Sequence, residues 1–238
     1  MVEDCDFYKK DIYKLIFKDN IYYVEDIKAK KIILAQGVSK SLVSHPYFNI
    51  SPIFGLRIDV KTSTNIPFNI HKSISISTNK KDGMVAIGAT HDRHDSSQLE
   101  CITTCDKCNF YVDQEKDQVN SLLSKAKELI NLEDLEVVKT YKGARATIKS
   151  YFPLIGKIVN YESSLKKHPS IKNGTKISQD CLDYYPNTYI INALGSRGFV
   201  FAPYLAKILS EHILNESPIP KDISTQKLFY KAARKDKS

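Results

Sequence analysis

Residues 189–214 constrain the fold more than any other stretch of this sequence. Tyr189-Ile190-Ile191-Asn192-Ala193-Leu194 is an apolar run of strand length, and Gly195-Ser196-Arg197-Gly198 follows it at once. Beyond the second glycine, Phe199, Leu205, Ile208, Leu209 and Ile213 recur at helical spacing. The segment therefore reads as strand, tight turn and helix in immediate succession. A helix that starts at a glycine turn presents free backbone N–H groups and a partial positive charge. Such a start can hold an anion or the electron-rich edge of a ring, so it is a candidate cofactor site.

The remaining pattern is rich in strands. Ile12–Phe17 and Ile21–Val24 flank the turn pair Asp19-Asn20 as in a hairpin. Lys31-Ile32-Ile33-Leu34-Ala35-Gln36-Gly37 is an apolar run closed by glycine, the pattern of a buried strand ending where backbone approaches something closely. Residues 73–89 form a second hairpin around Asp82-Gly83, and a further strand ends in Gly143-Ala144-Arg145. Between Asp113 and Asn131 the spacing of Val119, Leu122, Leu123, Ala126, Leu129 and Ile130 predicts one amphipathic helix. This order of strands and helices predicts an α+β architecture. No internal repeat or low-complexity tract interrupts it.

Composition narrows the function classes. The chain has 238 residues and is 42% hydrophobic, enough for a substantial core and against disorder. No run reaches the roughly 18 to 20 apolar residues of a membrane span, and the first residues are acidic rather than signal-like. A cytoplasmic protein without membrane attachment is expected. A net charge of +8 suits a polyanionic partner, with the densest basic stretch at Lys227, Lys231, Arg234, Lys235 and Lys237. Five cysteines, an odd number, argue for reduced thiols rather than a disulfide framework. Cys101, Cys105 and Cys108 have the spacing of an iron–sulfur loop, and with His94 or His91 they could also complete a zinc site. Unliganded thiols are the favoured reading, and His91-Asp92-Arg93-His94-Asp95 reads as a polar loop.

Several stretches taken together resemble the FAD-dependent oxidoreductases of the D-amino-acid-oxidase class. They are the strand 32–37, the set Arg145, Pro153 and Gly156, and the turn Gly195-Ser196-Arg197-Gly198. Further stretches are similar to the oxidoreductase module of the bifunctional tRNA 5-methylaminomethyl-2-thiouridine biosynthesis proteins. These are Ile87-Gly88-Ala89-Thr90 with Arg93, Pro153–Gly156 with Asn160-Tyr161-Glu162, Ala193–Gly198 with Ala202-Pro203, and Pro218–Thr225. The resemblance covers essentially the whole chain. It implies a mixed or antiparallel substrate sheet at 41–142, with 1–40 and 143–238 forming the remaining part of the FAD-binding domain.

Two departures accompany the resemblance. Ser150 stands where the family commonly has an acid. No G-x-G-x-x-G opens a βαβ unit, although the family begins with one that seats the FAD pyrophosphate. The expectation is an incomplete fold lacking its N-terminal βαβ, with uncovered apolar surface and a complementary N-terminal fragment or a methyltransferase domain as partner.

The resemblance also implies a reaction, a cofactor and a substrate. The reaction is the oxidation of carboxymethylaminomethyl-(2-thio)uridine at the tRNA wobble position to aminomethyl-(2-thio)uridine, with FAD as cofactor and tRNA as partner. No catalytic acid or nucleophile is needed. Arg145, Arg197 and Arg93 become the substrate-binding candidates, because a guanidinium matches a carboxylate bidentately at any working pH. Ala35, Gly37, Gly156, Gly195, Ser196, Gly198 and Phe199 become the cofactor-binding candidates. The alternatives are a noncatalytic RNA-binding remnant and a small-amine oxidase of the glycine- or sarcosine-oxidase type.

Overall fold

A computed structural model of the chain describes residues 5–39, 41–80, 82–92 and 109–236. Arg93, His94, Cys101, Cys105 and Cys108, and with them the metal alternative, lie outside these residues. Among the described residues no group of acidic, histidine and cysteine side chains could hold a metal ion. No described helix is long and apolar enough to cross a membrane.

Two hydrophobic cores organise the chain. The first surrounds a three-stranded sheet of order β10-β11-β4, with β4 at Ile32–Leu34, β10 at Leu154–Val159 and β11 at Tyr184–Asn192. β10 and β11 are antiparallel, whereas β11 and β4 are parallel with Tyr189 opposite Ile33. Four helices are described along the chain, α1 at Asn109–Lys127, α2 at Tyr161–Lys167, α3 at Gly198–Asn215 and α4 at Thr225–Ala233. Phe229 of α4 is fully buried among Tyr47, Tyr161 and Tyr230. Burying a side chain of that size stabilises the fold by about 1.5–3 kcal/mol. The segment 41–50, expected on the substrate side, packs Leu42, Val43, Tyr47, Phe48 and Ile50 on this first core.

The second core lies under a five-stranded sheet of order β6-β7-β8-β5-β9. β5 spans Ser51–Lys61 and β9 spans Glu136–Thr147, and the two pair antiparallel along their length. The short strands β6 (Ile70–His71), β7 (Ser75–Ile76) and β8 (Met84–Gly88) complete the sheet. Strand alternation decides its faces. Leu56, Ile58 and Val60 turn inward with Val85 and Ile87 against Leu122 and Ala126 of α1. Gly55 and Arg57 fall on the opposite face of the same strand, outside that core. The helix ends at Lys127, short of the expected Asn131, yet Leu129 and Ile130 still pack on the core from the turn that follows.

Near the N-terminus the expected hairpin is one arm of a three-stranded meander, β1 (Ile16–Lys18), β2 (Ile21–Val24) and β3 (Ile27–Ala29). Asp19 and Asn20 hold positive φ angles of 53° and 60°, as a tight two-residue turn requires. Tyr22 fastens the meander to the first core, its hydroxyl 2.6 Å from that of the fully buried Thr188.

Candidate active site

The outer face of β5 and β9 is cut down to backbone where the two strands pair. Gly55 lies opposite Gly143 and Ile53 opposite Arg145. The Arg145 guanidinium lies across Gly55, so close that a Cβ there would be 2.5 Å from Nη1. Gly143 has no atom within 4 Å of where its side chain would begin. Arg145 is half-buried, and its one hydrogen bond among the described residues is a long 3.4 Å contact donated to the Thr90 carbonyl. A guanidinium carries five N–H donors in a planar fork, the geometry that matches a carboxylate in two-pronged fashion. Arg57 bounds the face on one side, stacked over the Tyr141 ring at 4.2 Å and 3.3 Å from Asp59.

The glycine turn reaches the other end of the same face. Thr147 lies two residues beyond Arg145 on β9, and its methyl group would be 3.4 Å from a Cβ on Gly195. Residues Gly195–Arg197 form one turn of 3-10 helix with Gly195 at φ +60°, and α3 begins at Gly198 without a side-chain cap. Its first N–H groups accordingly have no side-chain acceptor. Arg197 is exposed. It donates from Nη2 to the Tyr151 carbonyl at 2.6 Å and lies 5.0 Å over the Phe201 ring, which ties the turn to the segment leaving β9.

The parallel pair β4 and β11 brings the remaining candidates together. Ala35 and Gly37 lie just past the carboxyl end of β4, beside the end of β11 from which the glycine turn departs. Asn192, buried, locks this edge by donating Nδ2 to the Gly37 carbonyl at 2.9 Å and accepting from the Ala193 N–H at 2.7 Å. The carboxyl edge of parallel strands is where open α/β sheets hold nucleotide ligands. Gly37 has φ +60° and open space around it, so backbone rather than side chain faces outward there.

Gly156 does not join the group. It is buried in β10 with φ +126°, and a Cβ would meet Ile219 at 3.1 Å and Thr225 at 3.4 Å, so its bareness admits the C-terminal segment. Phe199 does lie at the α3 start but is entirely exposed, not on the core face with Leu205 and Leu209. Gly55, Thr147 and Asn192 escaped sequence reasoning. A glycine inside the apolar run Ser51–Val60 was the one available signal, since glycine within a strand often marks close approach of another group.

A family model described as FAD dependent oxidoreductase matches residues 10–212. The chain belongs to that family. Its members are FAD dependent, and bare backbone at Gly37 and Gly143 with the uncapped start of α3 offers the open space and N–H groups that a flat ring with anionic groups calls for. Among curated relatives, the tRNA 5-methylaminomethyl-2-thiouridine biosynthesis bifunctional protein MnmC of Dichelobacter nodosus is 34% identical over 89 residues, 37% of this chain and 14% of that protein. The MnmC of Vibrio campbellii is 25% identical over 170 residues, 67% of this chain and 23% of that protein. Glycine oxidase from Bacillus cereus superposes with a TM-score of 0.57 at 15% identity, covering 87% of this chain and 50% of its own. Iminodiacetate oxidase from Chelativorans gives 0.56 at 17%, covering 90% and 53%. The chain thus spans about half of these solved structures and less than a quarter of these curated relatives.

Proposed function

We propose that this chain supplies the substrate-clamping half of a flavin-dependent amine oxidoreductase. The substrate class is a secondary amine bearing a carboxymethyl group, and the specific substrate is carboxymethylaminomethyl-(2-thio)uridine at a tRNA wobble position. The products are the aminomethyl nucleoside and glyoxylate. The observation that carries the reading is Arg145 lying over Gly55 on the bare face of β5 and β9.

Arg145 holds the substrate carboxylate, and the two-pronged geometry of its guanidinium fixes the orientation of the carbon beside it. Gly55 and Gly143 keep side chains off the face. Arg197 holds the glycine turn against the segment leaving β9 and keeps a second cation at that edge. Gly195, Ser196 and Gly198, together with Ala35 and Gly37 across the parallel pair, would hold the flavin. Bound FAD supplies the redox chemistry by accepting a hydride equivalent from the carbon beside the amine. Glycine and iminodiacetate, named for two structural neighbours, both contain an amine on a carboxymethyl carbon, which supports this substrate class. The names of the curated relatives favour the tRNA nucleoside over a free amino acid.

The nucleotide half of FAD needs a glycine-rich βαβ unit, which we assign to residues outside these 238. The test is visible absorbance after incubation with FAD and desalting, for the chain alone and for the chain co-expressed with a dinucleotide-binding segment. Flavin retained in the second sample, with glyoxylate released from a carboxymethylaminomethyluridine-containing RNA, is the expected result. No flavin in either sample would remove the reading. Turnover of free glycine or sarcosine with none of the RNA would replace it with a small-amine oxidase.

A further inference from the structure

A cleft of about 750 Å³ opens between the Ser51 end of β5, the segment 147–151 and α4. Phe48 and Ile53 contribute its apolar floor, while Lys149, Lys231, Lys235 and Tyr151 stand around it. All three lysines are exposed, and none makes an ion pair among the described residues. Lys231 lies in the last turn of α4 and Lys235 in the turn that follows it, and both line the cleft. No carboxylate lines the cleft among the described residues. Two acids nearby in sequence are already engaged, Asp222 with Lys227 at 2.5 Å and Asp236 with Lys172 at 3.1 Å.

We infer that this cleft seats the sugar–phosphate backbone of a single-stranded RNA loop, with the three lysines on phosphates and the Tyr151 ring as a platform for a base. The inference rests on the function proposed above and names the surface by which the substrate RNA is held. A small anion would need neither the volume nor the aromatic wall, whereas single-stranded nucleic acid uses both cations and stacking surfaces. Position supports the assignment as well. The Tyr151 carbonyl accepts the Arg197 hydrogen bond, so the cleft adjoins the turn beside Arg145, and a nucleotide clamped there has flanking phosphates within reach of the lysines.

The test is fluorescence anisotropy of the full chain with a labelled anticodon stem-loop RNA across a salt series. Two triple variants remove equal charge, Lys149→Gln/Lys231→Gln/Lys235→Gln in the cleft and Lys61→Gln/Lys72→Gln/Lys127→Gln elsewhere. Lys61 ends β5 ten residues from Ser51, or about 33 Å of extended strand. The cleft variant should bind roughly 30-fold more weakly at low salt, and the slope of log K against log salt should fall by about 2. The control should keep both within a few fold, and Tyr151→Ala should weaken binding by about tenfold. Equal losses from the two triple variants would overturn the inference. So would displacement of the RNA by inorganic phosphate at constant ionic strength, or wild-type binding without salt dependence. Glyoxylate release from a free carboxymethylamine, read separately in the flavin-loaded assembly, distinguishes failure of this surface from failure of the enzymatic reading.

Discussion

At the scale of single residues, the site depends on side chains that are absent. The carboxylate clamp proposed for Arg145 comes from the family resemblance, because an arginine near a glycine can equally cap a carbonyl. The structure gives it a partner the sequence had not singled out, Gly55, which leaves the guanidinium room to lie flat on the sheet. Gly55→Ala should therefore act on binding rather than folding. The intruding Cβ meets the far end of a flexible side chain, which can move, so stability should change by no more than about 0.5 kcal/mol. KM for a carboxymethylamine should rise about tenfold or more in the flavin-loaded assembly, since a clamp displaced by an ångström loses much of its orienting effect. An unchanged KM would take Arg145 out of the clamp. Arg197 behaves differently. Its 2.6 Å bond to the Tyr151 carbonyl gives it the carbonyl-capping task that an arginine beside a glycine turn can take.

At the scale of elements, β5, β8, β10 and β11 meet the cores as an apolar pattern predicts, whereas β1 starts only at Ile16 and is exposed along its length, and strand ends are settled by long-range contacts. β10 ends at Val159, where its register with β11 shifts, and Tyr47 from a distant segment completes the backbone there. Its hydroxyl donates to the Val159 carbonyl at 3.0 Å and accepts from the Val159 N–H at 2.8 Å. Burial pushes the Tyr47 phenol well above the ordinary tyrosine range. The group is protonated in the folded state and loses its proton in the unfolded chain near pH 10, so its contribution is complete below that pH and declines above it. Unfolding free energy measured in urea between pH 8 and 11 should fall by up to about 1.4 kcal/mol per pH unit for this group above pH 10. Tyr47→Phe should lower stability by about 1–3 kcal/mol at pH 8, by leaving two backbone groups unpaired, and should make the alkaline slope shallower. An unchanged slope would show that burial of this phenol does not govern the alkaline limit. Tyr184 and Tyr185, also raised by burial, keep the slope from vanishing in the variant.

At the scale of the whole molecule, the chain spans about half of the solved structures it resembles, and it presents a defined open edge. β4 pairs with β11 on one side alone among the described residues, and Ile33 on it is 51% exposed. Phe199, Val200 and Tyr204 at the start of α3 are exposed as well. An open parallel edge beside exposed apolar rings favours association. Sedimentation of the chain alone should show concentration-dependent self-association, and Val200→Glu with Tyr204→Glu should shift it toward monomer. A monomer at all concentrations before mutation would mean that this surface is tolerated by water. The sequence by itself determined the local order of elements, because strand alternation, glycine turns and helical spacing are properties of neighbouring residues. It also determined the family, because the motifs occur in an ordered set along the chain. Only the tertiary structure decided that Arg145 lies on Gly55, that Gly195 rests on Thr147, that Asn192 joins β11 to the Gly37 loop, and that Gly156 serves packing instead of the cofactor edge. Each of these joins residues far apart in the chain, and which distant segments lie side by side is decided by long-range pairing and packing rather than by the alternation of neighbouring residues.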